Sequence, residues 1–189
     1  MRHMKNIKTD TTETETESSM AMTSAAVADG TKAIYFDMDG TLADLYGVDR
    51  WLDEASAGST RPYDIAKPMY DETRMRDTID ALHARGWHIG IITWLFHDST
   101  PEYARAVTTS KLAWCRKHLP AVDEVKVVPY GMPKQCAVDV QSNAILFDDD
   151  ERNLDAWIDR KHNRHAVSAS DHQMMFAALN LLAFGEHDG

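Results

Sequence analysis

The chain has 189 residues, 43% of them hydrophobic and 26% charged, with 20 Lys and Arg against 30 Asp and Glu. That is the make-up of one globular domain able to bury a core, and no apolar run reaches the roughly 18 residues that a membrane-crossing helix needs. The net charge of −10 disfavours a nucleic-acid groove, and the two cysteines, Cys115 and Cys136, are too few and too far apart for a disulfide scaffold or a paired-thiol metal site, so a reduced cytoplasmic protein is expected.

Residues 1–30 read as a disordered leader. Thr9–Ser19 is almost entirely Thr, Glu and Ser, without apolar periodicity. Met20–Ala28 is small and weakly apolar, but acidic residues precede it and Thr23 and Ser24 interrupt it, which argues against a secretory signal. From there, residues 31–189 form the folded unit. Ala33–Phe36 is a buried-strand run that stops at Asp37. Met75, Ile79 and Leu82 recur at helical spacing, and Gly86 follows Arg85 as a terminating residue, which predicts a helix over 73–85. Trp87–Thr93 is the next strand. Thr100, Pro101 and Glu102 form a helix start, with Tyr103, Val107 and Trp114 on the inward face and a stop before Pro120. Val125–Val128 and Ala144–Phe147 are the third and fourth strands. Leu154, Trp157 and Ile158 mark a short helix, and Ala166–Val167 a fifth strand. Asp171 caps a last helix that turns Met175, Phe176, Leu179 and Leu182 inward and ends at Gly185. Strands alternating with helices predict an α/β fold: a doubly wound, mostly parallel, Rossmann-like sheet. The stretch at about 42–72 is a small helical or loop insertion after the first strand.

In such sheets, ligands sit beyond the carboxyl ends of the strands. Here those ends carry Asp37-Met38-Asp39-Gly40-Thr41, then Thr93, then Lys134 beyond the third strand, then Asp148-Asp149-Asp150. Taken singly, each has a plain structural explanation: a turn, a β-former, a solvated lysine, a helix opening that favours acids. Their common placement is what points to chemistry. Several carboxylates converging with one lysine require a cation, and hard oxygen ligands select Mg²⁺, with a phosphate completing its shell. Lysine and metal together describe a phosphoryl site.

The segment DMDGT at Asp37–Thr41, after a hydrophobic strand, resembles the first motif of the haloacid dehalogenase superfamily. Ile91-Ile92-Thr93 is similar to its second motif, Lys134 to its third and Phe147-Asp148-Asp149 to its fourth. The resemblance covers about residues 32–160 and implies a phosphatase of the small-cap type. It implies that Asp37 is the nucleophile and that Asp39 is the acid and base. Thr93 and Lys134 are to contact the phosphoryl group. Asp37, the Asp39 carbonyl, Asp148 and Asp149 are to hold Mg²⁺. Asp150 matches nothing in that motif and reads as a helix cap. Within the superfamily an acid at the Asp39 position points to a phosphatase or phosphomutase. Receiver domains carry Asp, Thr and Lys in a different chain order, and no phosphate-binding GxxxxGK[ST] loop is present.

The spacing also bounds the substrate. Lys134 and Asp148 lie too close in sequence for a domain between them, which leaves 42–72 as the only insertion over the site. It contains Tyr46, Trp51, Tyr63 and Tyr70, while Trp94 and Phe96 follow the second motif. Trp51, Tyr63 and Trp94, with the Gly40–Thr41 turn, are candidate substrate-binding positions, although the insertion aromatics could equally build its own small core. A loose similarity to deoxyribonucleotidase-like members makes a nucleoside monophosphate the leading substrate, with sugar phosphates or a non-enzymatic phosphate-binding module as alternatives. No membrane or nucleic-acid partner is expected. His97 and Asp98 read as loop residues.

Overall fold

The computed structural model describes residues 31–138 and 143–185; the leader at 1–30 falls outside them. Among the described residues, five strands form one sheet: β1 (Lys32–Phe36), β2 (Trp87–Trp94), β3 (Glu124–Val128), β4 (Asn143–Asp148) and β5 (Arg164–Ser168). Their order is β3-β2-β1-β4-β5, and every pairing is parallel. The first strand is therefore central, and the chain's direction of winding reverses beside it.

Alternation along β1 distributes its side chains between two cores. Ile34 and Phe36 face one side, where they pack with three helices: α3 (Glu72–Ala84), α4 (Pro101–His118) and α6 (His172–Phe184). Ala33 and Tyr35 face the other, against Trp157 of α5 (Glu151–Trp157). Helices thus cover both faces, which is the doubly wound arrangement that buries a parallel sheet completely. Asp71 and Thr100 cap α3 and α4 through their side chains, and Gly86 takes the left-handed conformation after α3 with φ 78°.

One helix end differs from the sequence reading and one agrees with it. Ile158 lies just beyond α5 and is exposed, because the helix already ends at Trp157. Gly185 closes α6 with φ −58°, so its role is not a left-handed turn; its N–H donates to the Leu181 carbonyl.

The insertion begins and ends at a short antiparallel neck. Asp44 N–H donates to the Lys67 carbonyl at 2.8 Å, and Met69 N–H donates to the Leu42 carbonyl at 2.9 Å. Between these bonds lie two short helices, α1 (Trp51–Ser56) and α2 (Arg61–Ile65). The insertion docks on α4. Tyr103 Oη donates to the Ser59 carbonyl at 2.9 Å, and Trp114 Nε1 donates to the Ala66 carbonyl at 2.7 Å. Leu45 and Tyr63 pack with Val107 of α4 in a third, small apolar cluster. Among the described residues, no helix is long and apolar enough to cross a membrane.

Candidate active site

The carboxyl ends of β1, β2 and β4 meet under the insertion, and a cavity of about 640 Å³ opens there. Asp37 and Asp39 line it from the end of β1, and Asp148 and Asp149 from the end of β4. Hydrogen bonds tie these two strand ends together, since Asp37 N–H donates to the Phe147 carbonyl at 2.8 Å. Carboxylate oxygens of Asp37, Asp148 and Asp149 lie within 4.8 Å of one another, the only such grouping of acids, histidines and cysteines among the described residues.

Lys134 opens a 3-10 turn (Lys134–Ala137) after β3 and is almost fully buried. Its Nζ donates to Asp37 Oδ1 and, at 2.6 Å, to Asp148 Oδ2. A buried ammonium is expensive unless paired, and here it stands between two carboxylates that would otherwise repel each other. Burial opposes its charge, but Asp37 and Asp148 win and raise the lysine above its usual range. Burial pushes Asp37 itself up to about 7, with Lys134 pulling against the rise and Asp148 and Asp39 adding to it. The oxygen-only donor set of Asp37, Asp148 and Asp149 fits a hard divalent ion.

The remaining acids are fixed by specific donors. Asn153 Nδ2 reaches both oxygens of Asp148, at 3.3 and 3.1 Å, and Asp150 N–H donates to Asp148 Oδ1 at 2.9 Å. Thr41 Oγ1 donates to Asp149 Oδ1 at 3.0 Å. Burial raises Asp149 above the usual carboxylate range, and the Thr41 bond opposes that rise. Gly40 makes the approach of Asp149 possible: its φ is 89°, and a Cβ there would stand 2.6 Å from Asp149 Oδ2 and 2.5 Å from the Tyr46 ring. Asp150 caps α5 by accepting from Arg152 N–H at 2.9 Å.

The sequence-derived candidates fall into two layers. Asp37, Asp39, Asp148, Asp149, Trp51, Tyr63 and Trp94 line the cavity, whereas Gly40, Thr41, Thr93 and Lys134 lie behind the lining. Tyr63 belongs to both descriptions, since it touches the cavity yet is only 2% exposed within the cluster around Leu45 and Val107. Trp51 is half-buried, with its ring 5.2 Å from that of Tyr46. Opposite them, Trp94 donates from Nε1 to the Met132 carbonyl at 2.8 Å and meets Tyr130 edge to face at 5.3 Å. His97, read as a loop residue, also lines the wall, as does Tyr130.

One residue at this centre has no place in the sequence reading. Lys111 of α4 is fully buried, and its Nζ donates to Asp39 Oδ2, to Thr93 Oγ1 at 2.7 Å and to the Trp94 carbonyl at 2.8 Å. The signal was present. Lys111 sits four residues after Val107 and three before Trp114, so it occupies a position on the inward stripe of α4 where an apolar residue is expected.

No family model matches this chain, and no curated protein matches it. Among solved structures it is similar to a D,D-heptose 1,7-bisphosphate phosphatase from Burkholderia thailandensis, with 17% identity over 66% of this chain and 70% of that one and a TM-score of 0.38. A likeness that weak leaves the argument to the geometry. What the geometry defines is an α/β protein with a carboxylate and lysine cluster at the carboxyl edge of its sheet.

Proposed function

We propose that the chain is a Mg²⁺-dependent phosphomonoester hydrolase that works through an aspartyl-phosphate on Asp37. Its substrate is a small phosphorylated metabolite, with a nucleoside monophosphate favoured by the aromatic walls. The observation that carries this reading is Asp37 itself, held by the buried Lys134 beside Asp148 and Asp149 at the floor of a ligand-sized cavity. The resemblance of the four strand-end motifs to those of the haloacid dehalogenase superfamily supports it. The free thiols Cys115 and Cys136 suit a reducing cytoplasm.

Asp37, Asp148 and Asp149 would hold the ion, with the Asp39 carbonyl. When bound, Mg²⁺ supplies the positive charge that lets a phosphate dianion approach this acidic floor. In the first step a carboxylate oxygen of Asp37 forms a bond to phosphorus. The bond from phosphorus to the leaving oxygen breaks, and that oxygen takes a proton from Asp39. In the second step water attacks the same phosphorus and gives a proton to Asp39. The bond to Asp37 breaks, which releases phosphate and restores the carboxylate. Lys134 offsets charge on Asp37 throughout, and Thr93, fully buried behind the lining, supports the Asp39 side of the site through Lys111.

The test is phosphate release from purified protein across nucleoside monophosphates, sugar phosphates and a generic ester. Release is expected with Mg²⁺, is abolished by a chelator, and is poorly restored by Ca²⁺, whose looser shell alters the in-line geometry. Release that persists in full in chelator contradicts the metal assignment. Binding of phosphate esters without release from any of them makes the chain a non-enzymatic phosphate-binding module.

A further inference from the structure

An ammonium group has three protons and no acceptor, and Lys111 spends all three at this site, on Asp39 Oδ2, Thr93 Oγ1 and the Trp94 carbonyl. Burying such a charge carries a large cost unless every proton is matched, and a leucine or methionine would complete the apolar stripe of α4 without that cost. The lysine therefore has a use other than packing. Its two side-chain partners are Asp39, which is assigned to the leaving group, and Thr93 near the end of β2.

Each bond fixes what the partner has left to offer. With Oδ2 of Asp39 held by the lysine, Oδ1 remains, and it is buried with no hydrogen-bond partner among the described residues, in a side chain that lines the cavity. With a lone pair of Thr93 Oγ1 taken by an obligate donor, the threonine hydroxyl is left to donate its own proton elsewhere. The Trp94 carbonyl bond anchors the ammonium to the end of β2, so its position does not depend on the two groups it orients. The Tyr63 ring covers it, with its centroid 5.2 Å from Nζ.

We infer that Lys111 is a positioning residue: through Oδ2 it holds the Asp39 carboxyl group at the cavity wall where the leaving oxygen must arrive, and it ties that group to Thr93 and the end of β2. The inference rests on the phosphatase reading of the site. It touches neither substrate nor Asp37, so its loss leaves the nucleophile and the carboxylates near Lys134 in place. The step that suffers is the one in which Asp39 must meet a leaving oxygen at hydrogen-bond distance.

The test compares Lys111→Met with the wild-type protein on two esters, an alkyl phosphate and p-nitrophenyl phosphate, at saturating Mg²⁺. The alkyl leaving group needs a proton and the nitrophenolate does not. For Lys111→Met, kcat on the alkyl ester is expected to fall about 100-fold or more, while kcat on the aryl ester falls at least about tenfold less and KM for either changes less than about threefold. The ratio of the two kcat values is taken on one preparation, so it is unaffected by the fraction of protein that is folded. If Lys111→Met does not fold, Lys111→Gln, which keeps one amide donor and similar length, carries the same ratio test. Lys111→Arg, which keeps charge and several donors, is expected to recover part of the alkyl activity. Equal losses on both esters, or none, with an active wild-type protein, overturn the positioning role alone. A wild-type protein that hydrolyses neither ester overturns the phosphatase reading, and this inference falls with it.

Discussion

At the carboxyl edge of the sheet, side chains are held by charge and hydrogen bonds; in the insertion at 42–72 that overhangs it, they are held by packing. Lys134, Asp148 and Asn153 form a buried hydrogen-bonded network, and Lys111 ties Asp39 Oδ2 to Thr93. In the insertion, α1 has no side-chain cap and Leu52 is exposed. Tyr46, which overlies Gly40, is 54% exposed. The insertion's firm attachments are its neck, the bonds to α4 and the cluster around Tyr63. Buried charge-assisted bonds constrain geometry tightly, whereas a packed aromatic wall can be altered with limited loss. The floor is therefore suited to a fixed reaction and the wall to the choice of substrate.

The sharpest way to break that contrast is at the floor. Asp37→Asn keeps the size of the side chain and removes the attacking oxygen. Phosphate release from an alkyl ester is expected to fall by about 10³-fold or more, on every substrate alike. A loss confined to nucleotides would place Asp37 in recognition instead.

The same substitution has a second, pH-dependent consequence in the metal-free protein. Burial holds Asp37 up to about 7 in the folded state, against an unfolded value near 4. Between these values the folded chain keeps a proton that the unfolded chain releases, so this group's contribution to stability falls as pH rises. Asp37→Asn lacks that term. In chelator, its stability relative to wild type should therefore increase from about pH 4 to about pH 7 and then level off, as read from urea midpoints. Saturating Mg²⁺ should narrow the gap by binding the wild-type carboxylate. Parallel profiles in chelator would contradict the assigned cost of burying this carboxylate.

The smallest effect is expected at the wall, and there two aromatics should separate. Trp51→Ala removes a half-buried ring from the cavity and should weaken nucleotide binding by about 1–3 kcal/mol while barely altering turnover of a small generic ester. Tyr63→Ala removes a ring from the cluster with Leu45 and Val107 and uncovers Lys111. It should lower the melting temperature and reduce both activities together. Equal behaviour of the two variants, in melting and in both assays, would erase the distinction between wall and mini-core.

The floor was legible in the sequence because a parallel strand places its last residue at one edge of the sheet. An apolar run ending in Asp37, Thr93 or Asp148 therefore locates that residue in space as well as in the chain. Lys134 was harder, since five residues separate it from the end of β3, and its assignment came from motif order. Lys111 shows in the sequence only as a polar residue on the inward stripe of α4, and its buried partners Asp39 and Thr93 give that position its meaning. The insertion was the least legible part. Its two helices, six and five residues long, are too short for apolar periodicity to declare itself, and the roles of Trp51 and Tyr63 depend on tertiary contacts with α4. The parallel, doubly wound sheet is legible from strands alternating with helices, whereas the order β3-β2-β1-β4-β5 and the division into two cores are supplied by the structure. The end of α5 at Trp157 shows how an exposed Ile158 can imitate one more turn.

The central claim is that phosphate passes through a covalent bond to Asp37. It is tested most directly by quenching the Mg²⁺-loaded protein during turnover, reducing with borohydride and mapping the peptides by mass spectrometry. An acyl phosphate is reduced where a free carboxylate is not, so residue 37 should appear as homoserine, with Asp39, Asp148 and Asp149 unmodified and no label in Asp37→Asn. Steady phosphate release with residue 37 left as aspartate, or reduction at another carboxylate, would contradict the account.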